Sequence, residues 1–139
     1  MAVERTLAII KPDAVGRGLT ADILSRIQAA KFQIMALKSL RLTKAQAEGF
    51  YAVHRERPFF GELTDFMSSG KAVVIVLESE DAIAKWRATM GATDPAKAPA
   101  GTIRRDLGTS IQCNCTHGSD AAQTAAFEIG YFFAGSELV

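Results

Sequence analysis

An α+β sandwich of the ferredoxin-like kind is the fold the sequence predicts, and three observations carry the prediction. Thr6-Leu7-Ala8-Ile9-Ile10 and Ala72-Val73-Val74-Ile75-Val76-Leu77 are continuous apolar runs rather than alternating ones. Runs of that kind suit strands covered on both faces in the middle of a sheet. Helical patterns separate them, in the order strand, helix, strand, helices, strand, helix, long loop, short strand, helix. That order gives a βαββαβ arrangement in which the first and third strands are central to a four-stranded antiparallel sheet and helices cover it.

In order along the chain, Lys11 ends the first strand abruptly, and Lys11-Pro12-Asp13 breaks regular structure because proline cannot donate to a ladder. After the Gly16-Arg17-Gly18 loop, Thr20 is positioned to cap a helix through about residue 30, with Ile23, Leu24 and Ile27 on one face. Residues 32–42 read as the second strand. Thr43 caps a helix running through Phe50 and Tyr51 toward His54, and Pro58 closes that region. Residues 59–67 form a short helix whose Phe60, Leu63, Phe66 and Met67 recur at helical spacing. The apolar run at 72–77 is the third strand, followed by a helix over 81–90 that carries Trp86 and Arg87 and stops at Gly91. Residues 92–116 hold Pro95, Pro99, Gly101 and Gly108 without sustained periodicity, and a loop that long inside a compact domain is usually functional. It carries Thr93, Arg104, Arg105 and Asn114, donors suited to phosphate oxygens and sugar hydroxyls. The last helix covers 121–133.

At 139 residues and 48% apolar content the chain fits one domain, 1–139, with a sizeable core. Sixteen basic residues against fifteen acidic ones leave a net charge of +1, which argues against a strongly basic nucleic-acid or membrane surface. With no apolar run long enough to span a bilayer and a polar N-terminal stretch, a cytoplasmic location is expected. Cys113 and Cys115 are too close for an ordinary staple and read as free thiols.

Asn114-Cys115-Thr116-His117-Gly118-Ser119-Asp120 is the stretch around which function organises itself. An imidazole where an extended segment meets a helix N-terminus lies in a place suited to anions, and a phosphate is the natural guest. Read locally, the same residues are also a solvated turn with Ser119 or Asp120 capping the next helix. Glu128 falls on the apolar stripe of the last helix with Thr124, Ala125 and Phe132, where a carboxylate needs a partner. An imidazole whose far nitrogen is held by a carboxylate has a fixed tautomer and a free nucleophilic nitrogen. An exposed helical glutamate is the other reading. Lys11, at the exit of a buried strand, faces either a cleft or solvent. The glycines form neither a dinucleotide fingerprint nor a phosphate-binding loop of the Gly-Lys-Ser/Thr type.

Four blocks together resemble the nucleoside diphosphate kinase family. They are Glu4-Arg5-Thr6-Leu7-Ala8-Ile9-Ile10-Lys11-Pro12-Asp13-Ala14-Val15, Phe50-Tyr51-Ala52-Val53-His54 with Arg57-Pro58-Phe59-Phe60, Met90-Gly91-Ala92-Thr93-Asp94-Pro95, and Thr109-Ser110-Ile111 through Asn114-x-x-His117-Gly118-Ser119-Asp120. The resemblance covers nearly the whole chain. It implies that His117 is a nucleophile, phosphorylated at its pros nitrogen, that passes the terminal phosphoryl group of a nucleoside triphosphate to a nucleoside diphosphate by a ping-pong route. It implies further that Lys11, Arg87 and Arg104 bind phosphates, Tyr51 and Thr93 add hydroxyls, and Lys11 and Asn114 hold the sugar. Phe59 and Ile111 sandwich the base, contacts every base can satisfy. Glu128 and Ser119 orient His117. Mg²⁺ arrives with the nucleotide rather than on protein side chains, and a homo-oligomer, tetramer or hexamer, is implied. The edge strand at 32–42 independently predicts self-association.

Trp86 and the Gln112-Cys113-Asn114-Cys115-Thr116 segment depart from the family pattern without removing a catalytic group. Cys113 and Cys115 read as inert small residues in a loop, since Cys-x-Cys is short of a full ligand set; the alternative is that 113–117 is extended, so that alternation turns Cys113, Cys115 and His117 to one side as three ligands of a zinc site. A nucleic-acid or small-molecule binding module on the same fold predicts aromatics on an open strand, and neither apolar strand contains one. A homologue with a disabled histidine is disfavoured by the joint presence of His117, Lys11, Arg87, Arg104, Asn114 and Glu128.

Overall fold

The structure, a computed structural model, describes residues 3–139. Its four-stranded sheet runs in the order β2 (Gln33–Arg41), β3 (Lys71–Glu80), β1 (Val3–Ile10), β4 (Thr116–Gly118). Each neighbouring pair is antiparallel, so the first and third strands are central as the apolar runs require. β1 lies against β3 from Val3 opposite Glu80 to Ile10 opposite Val73. Successive residues of these strands enter different cores. Ala8, Ile10, Val73, Ile75 and Leu77 join one cluster, and Leu7, Ile9, Val74 and Val76 join the other. With both faces covered there is no solvent side to demand polar residues, which is why no alternation shows in the sequence.

The first cluster is closed by Ile23 and Ile27 of α2 (Thr20–Ala29), Trp86 and Met90 of α5 (Ala82–Met90), and Ile103 at the start of α6 (Ile103–Leu107). The second is closed by Ala47 and Phe50 of α3 (Lys44–Phe50), Met67 of α4 (Phe60–Met67), and the flank of α7 (Ala122–Phe132). Leu7, Ile9, Ile10 and Trp86 are fully buried, and truncating one of the three aliphatic side chains to alanine costs about 2–5 kcal/mol.

Local sequence sets most of the ends. Thr43 heads α3 with a reciprocal cap: its hydroxyl accepts from the Gln46 N–H (3.1 Å) while the Gln46 side chain accepts from the Thr43 N–H (2.9 Å). Gly91 ends α5 at φ +90, a conformation that favours glycine, and a Cβ there would lie 2.5 Å from Thr102 Oγ1.

Four local expectations are corrected. Pro12 does not break the chain into loop but opens a short helix, α1 (Pro12–Gly16), because the first helical position needs no N–H donor. Thr20 is the first residue of α2 rather than its cap; Leu19 occupies the cap position with no side-chain bond. Residues 92–116 are not wholly loop, since α6 lies within them, headed by Thr102, whose hydroxyl accepts from the Arg105 N–H (3.3 Å). Neither Ser119 nor Asp120 caps α7. Ala121 stands there, its N–H held by the Thr124 hydroxyl (3.0 Å), and Ser119 is released for another use.

Candidate active site

The short β4 carries His117 opposite Ile9 of the central strand β1. Its ring stands edge-on to Phe50 (centroids 5.5 Å apart) and Tyr51 (6.1 Å), so the imidazole is confined on one side by rings from the end of α3. His117 Nε2 is 2.9 Å from Glu128 Oε1, and Ser119 Oγ donates to that same oxygen at 2.8 Å. The Ser119 hydroxyl in turn accepts from the Leu7 N–H at 3.2 Å, tying the arrangement to β1. An ionised carboxylate only accepts, so Nε2 carries the proton and Nδ1 keeps its lone pair. Glu128 therefore points inward from α7 as its place on the apolar stripe required, with a side chain 14% exposed.

Beside the imidazole opens a cleft of about 240 Å³, lined by Lys11, Tyr51, Phe59, Arg87, Thr93, Arg104, Ile111, Asn114 and His117. The fold thus gathers the cleft residues singled out from the sequence with one exception: Arg105 lies exposed outside the cleft and donates to the Ala96 carbonyl (2.9 Å). Glu128 and Ser119 stand behind His117 instead. Lys11 is buried where β1 ends, and its Nζ donates to Asn114 Oδ1 (2.7 Å), whose amide nitrogen donates to the Thr93 carbonyl (3.0 Å). Arg104, on α6, is also buried and donates to the carbonyls of Gly91 (3.1 Å) and Thr116 (2.8 Å). Arg87 lies half-exposed on α5 and pairs with Asp120 (2.9 Å).

Electrostatically the cleft is short of anions. Burial pulls Lys11 down to about 8, opposed by Asp13 and assisted by the Arg104 charge. Burial also lowers Arg104 to about 10, and Arg87 adds to the effect. Two desolvated cations with a third beside them are unfavourable alone and become favourable with a polyanion between them. The Tyr51 phenol is pushed upward, first by burial and then by the Glu128 charge, so it is a hydroxyl donor across the physiological range.

A family model described as nucleoside diphosphate kinase matches residues 4–138. The chain belongs to the nucleoside diphosphate kinase family. A nucleoside diphosphate kinase of Desulfovibrio desulfuricans is 61% identical over 136 residues, covering 98% of each chain. One from Pelobacter propionicus is 60% identical over 137 residues, covering 99% of this chain and all of the relative. Among solved structures, the nucleoside diphosphate kinase of Aquifex aeolicus superposes with a TM-score of 0.97 at 49% identity, over 99% of this chain and 100% of that one. The halophilic enzyme of Halobacterium salinarum, in complex with CDP, superposes with a TM-score of 0.94 at 39% identity, over 99% and 92% of the two chains. Phosphotransfer between nucleoside triphosphates and diphosphates is the reaction of this family.

Two features of this family member were not legible beforehand. The segment before β4 is not extended: Cys115 sits at φ +74 and its side chain is buried in the first core cluster with Ile10 and Trp86. His117 faces the cleft instead, so alternation fails and the zinc arrangement falls with it. No group of three or more His, Cys, Asp or Glu side chains among the described residues is placed to hold a metal ion. Both cysteines are free, and burial pushes the Cys115 thiol up to about 11, away from thiolate chemistry. The second feature is Trp86. Its indole N–H donates to the His117 carbonyl (3.1 Å), and its ring lies so close to Gly118 that a Cβ there would be 2.5 Å away. His54 and Asp120 also line the cleft. The block around Tyr51 and the residues following His117 contained the signal for both, since neighbours of site residues share the same loops.

Proposed function

We propose that the chain moves the terminal phosphoryl group of a nucleoside triphosphate onto a nucleoside diphosphate by a ping-pong route through phosphorylated His117. One observation carries this reading. The His117 ring is held at Nε2 by Glu128, whose same oxygen accepts from Ser119, at the wall of a cleft furnished with Lys11, Arg87 and Arg104. In the first half-reaction Nδ1 forms a bond to the terminal phosphorus and the bond from that phosphorus to the bridging oxygen breaks, releasing the diphosphate. The positive charge that develops on the ring is met by the Glu128 carboxylate. The second half-reaction reverses these steps toward a different diphosphate. Because phosphoryl transfer leaves little covalent work to the protein, the rate depends on positioning and charge neutralisation. Lys11 and the two arginines neutralise phosphate oxygens, Tyr51 and Thr93 donate to them, and Lys11 with Asn114 takes the sugar hydroxyls.

Phe59 and Ile111, 47% and 60% exposed at the cleft mouth, offer apolar faces to either side of a base, which supports broad base tolerance. The family's divalent cation, here Mg²⁺, fits this site only through the nucleotide. Asp120 is the single carboxylate lining the cleft and is already turned to Arg87, so the ion would be held mainly by phosphate oxygens and would spread their charge. The reading extends to a single domain, a cytoplasmic setting, and a homo-oligomer, tetramer or hexamer, built on the open edge of β2. No helix of the described residues is long and apolar enough to cross a membrane. Helices over both sheet faces leave no open strand surface for stacked nucleic-acid bases.

Incubation with γ-labelled ATP and no acceptor tests the proposal. The protein takes up label that is labile to acid and stable to alkali, and His117→Ala takes up none while keeping its fold by circular dichroism. Phosphotransfer by His117→Ala within tenfold of the parent overturns the assignment.

A further inference from the structure

The chain turns back on itself immediately before the nucleophile, and one carboxylate outside the cleft holds that turn. Thr116 N–H donates to the Asn114 carbonyl (2.9 Å) across Cys115, whose φ is +74. This is a γ-turn with its central residue in the rare, strained form that glycine tolerates and a cysteine resists. Both halves of the Cys115 peptide unit are gripped by the corner that ends β1. Its N–H donates to Asp13 Oδ2 (3.1 Å), and its carbonyl accepts from the Lys11 N–H (2.8 Å). The other oxygen of Asp13 is buried without a partner, so the carboxylate is held in place at a cost that its bond to Cys115 must offset.

The turn decides which side chains reach the cleft. In an extended segment Cys115 and His117 would face the same side. With the reversal, Cys115 drops into the core, and both Asn114 and His117 line the cleft, Asn114 within 2.7 Å of Lys11 Nζ. We infer that Asp13 is a positioning residue: by accepting the Cys115 N–H it holds the γ-turn that brings Asn114 and His117 to the same cleft. The inference rests on the reading of His117 as phosphoryl acceptor for its kinetic consequence, and on geometry alone for its structural one.

Four variants separate the acceptor role from charge and from general packing. Asp13→Asn keeps an oxygen able to accept the Cys115 N–H; Asp13→Ala does not. Cys115→Gly removes the resistance to positive φ, so the Asp13→Ala, Cys115→Gly double variant needs no clamp, and Cys115→Gly alone measures the small cavity it leaves. Two readouts are taken: single-turnover phosphorylation by γ-labelled ATP, and hydrogen exchange of the residue 115 amide.

The expected results are a loss of tenfold or more in phosphorylation rate and loss of amide protection in Asp13→Ala. Asp13→Asn stays within threefold of the parent with protection retained, and the double variant recovers to within threefold of Cys115→Gly. Equal impairment of Asp13→Asn and Asp13→Ala assigns the effect to charge and overturns the inference. So does an unimpaired Asp13→Ala, or a double variant no faster than Asp13→Ala. If Asp13→Ala does not fold, the comparison of Asp13→Asn with the parent and of the double variant with Cys115→Gly decides. A parent protein that takes up no label refutes the acceptor reading, and the amide exchange of Asp13→Asn and Asp13→Ala then decides the clamp alone.

Discussion

Replacing Glu128 by glutamine isolates the charge behind His117 with little change in shape. Both donors, His117 Nε2 and Ser119 Oγ, converge on one oxygen of Glu128, at 2.9 and 2.8 Å. An amide placing its oxygen there keeps both contacts, so the tautomer and ring orientation survive. What is lost is the negative charge. A charge-assisted bond is worth roughly twice a neutral one, which sets a lower bound of about 1.4 kcal/mol, or ~10-fold in rate. A Coulomb estimate at an effective dielectric of about 20 gives ~4 kcal/mol for full charges about 4 Å apart, and about half that for a ring charge half-developed in the transition state. The expectation is therefore a ~10- to ~30-fold fall in the single-turnover rate of phosphoenzyme formation, read by rapid quench. Nucleotide affinity should be unchanged, because Glu128 does not line the cleft. An unchanged rate, or weakened binding with intact chemistry, would refute the reasoning.

Lys11, lowered to about 8 by burial, gives a pH signature. Phosphate binding raises it again, so nucleoside diphosphate affinity falls as pH rises above about 8, and calorimetry in buffers of different ionisation enthalpy detects proton uptake on binding at pH 8.5. In the free protein the sign is opposite: between about 8 and the ordinary value of 10.5 the unfolded chain binds the proton that the folded one releases, so Lys11's contribution to stability rises with pH through that window. Gly118→Ala sets a Cβ 2.5 Å from the buried Trp86 ring, and costs about 1–3 kcal/mol by denaturant unfolding. An alanine variant as stable as the parent would show that Trp86 can move. Light scattering at micromolar concentration should give a multiple of the 14.9 kDa chain mass, and a monomer would remove the role given to the β2 edge.

The central strands could be read from the sequence because burial on both faces leaves no competing polar pattern, as in Ile9-Ile10 and Val73-Val74. Thr43 was legible for a different reason: its cap is completed three residues away, within one turn. The errors fall where a residue has two uses. Pro12 stops a strand and starts a helix equally well, and only the packing after Lys11 chooses. Ser119 and Thr20 both resemble caps, but Ser119 is claimed by Glu128, well inside the following helix, and by Leu7, 112 positions away in sequence. The cleft residues were recognisable through several motifs in fixed order. The reversal at Cys115 was not, because a cysteine gives no sign of positive φ and the forces that impose it come from Lys11 and Asp13.

The placement of β1 has a consequence for how the protein is made. The strand at the middle of the sheet is made long before its last partners: the Leu7 N–H is satisfied by Ser119, 112 positions later, and Lys11 meets Asn114 103 positions later. A nascent chain therefore carries a strand, apolar from Leu7 to Ile10, with one edge open until β3 emerges and the other open until β4 follows. Unpaired edges of this kind recruit other strands, including those of neighbouring nascent copies on the same message. A chain interrupted after Gly108 has made Lys11, Arg87 and Arg104 but none of the Asn114, Cys115 and Thr116 groups that hold Lys11 and Arg104 in place, so the cleft takes shape only once β4 is added.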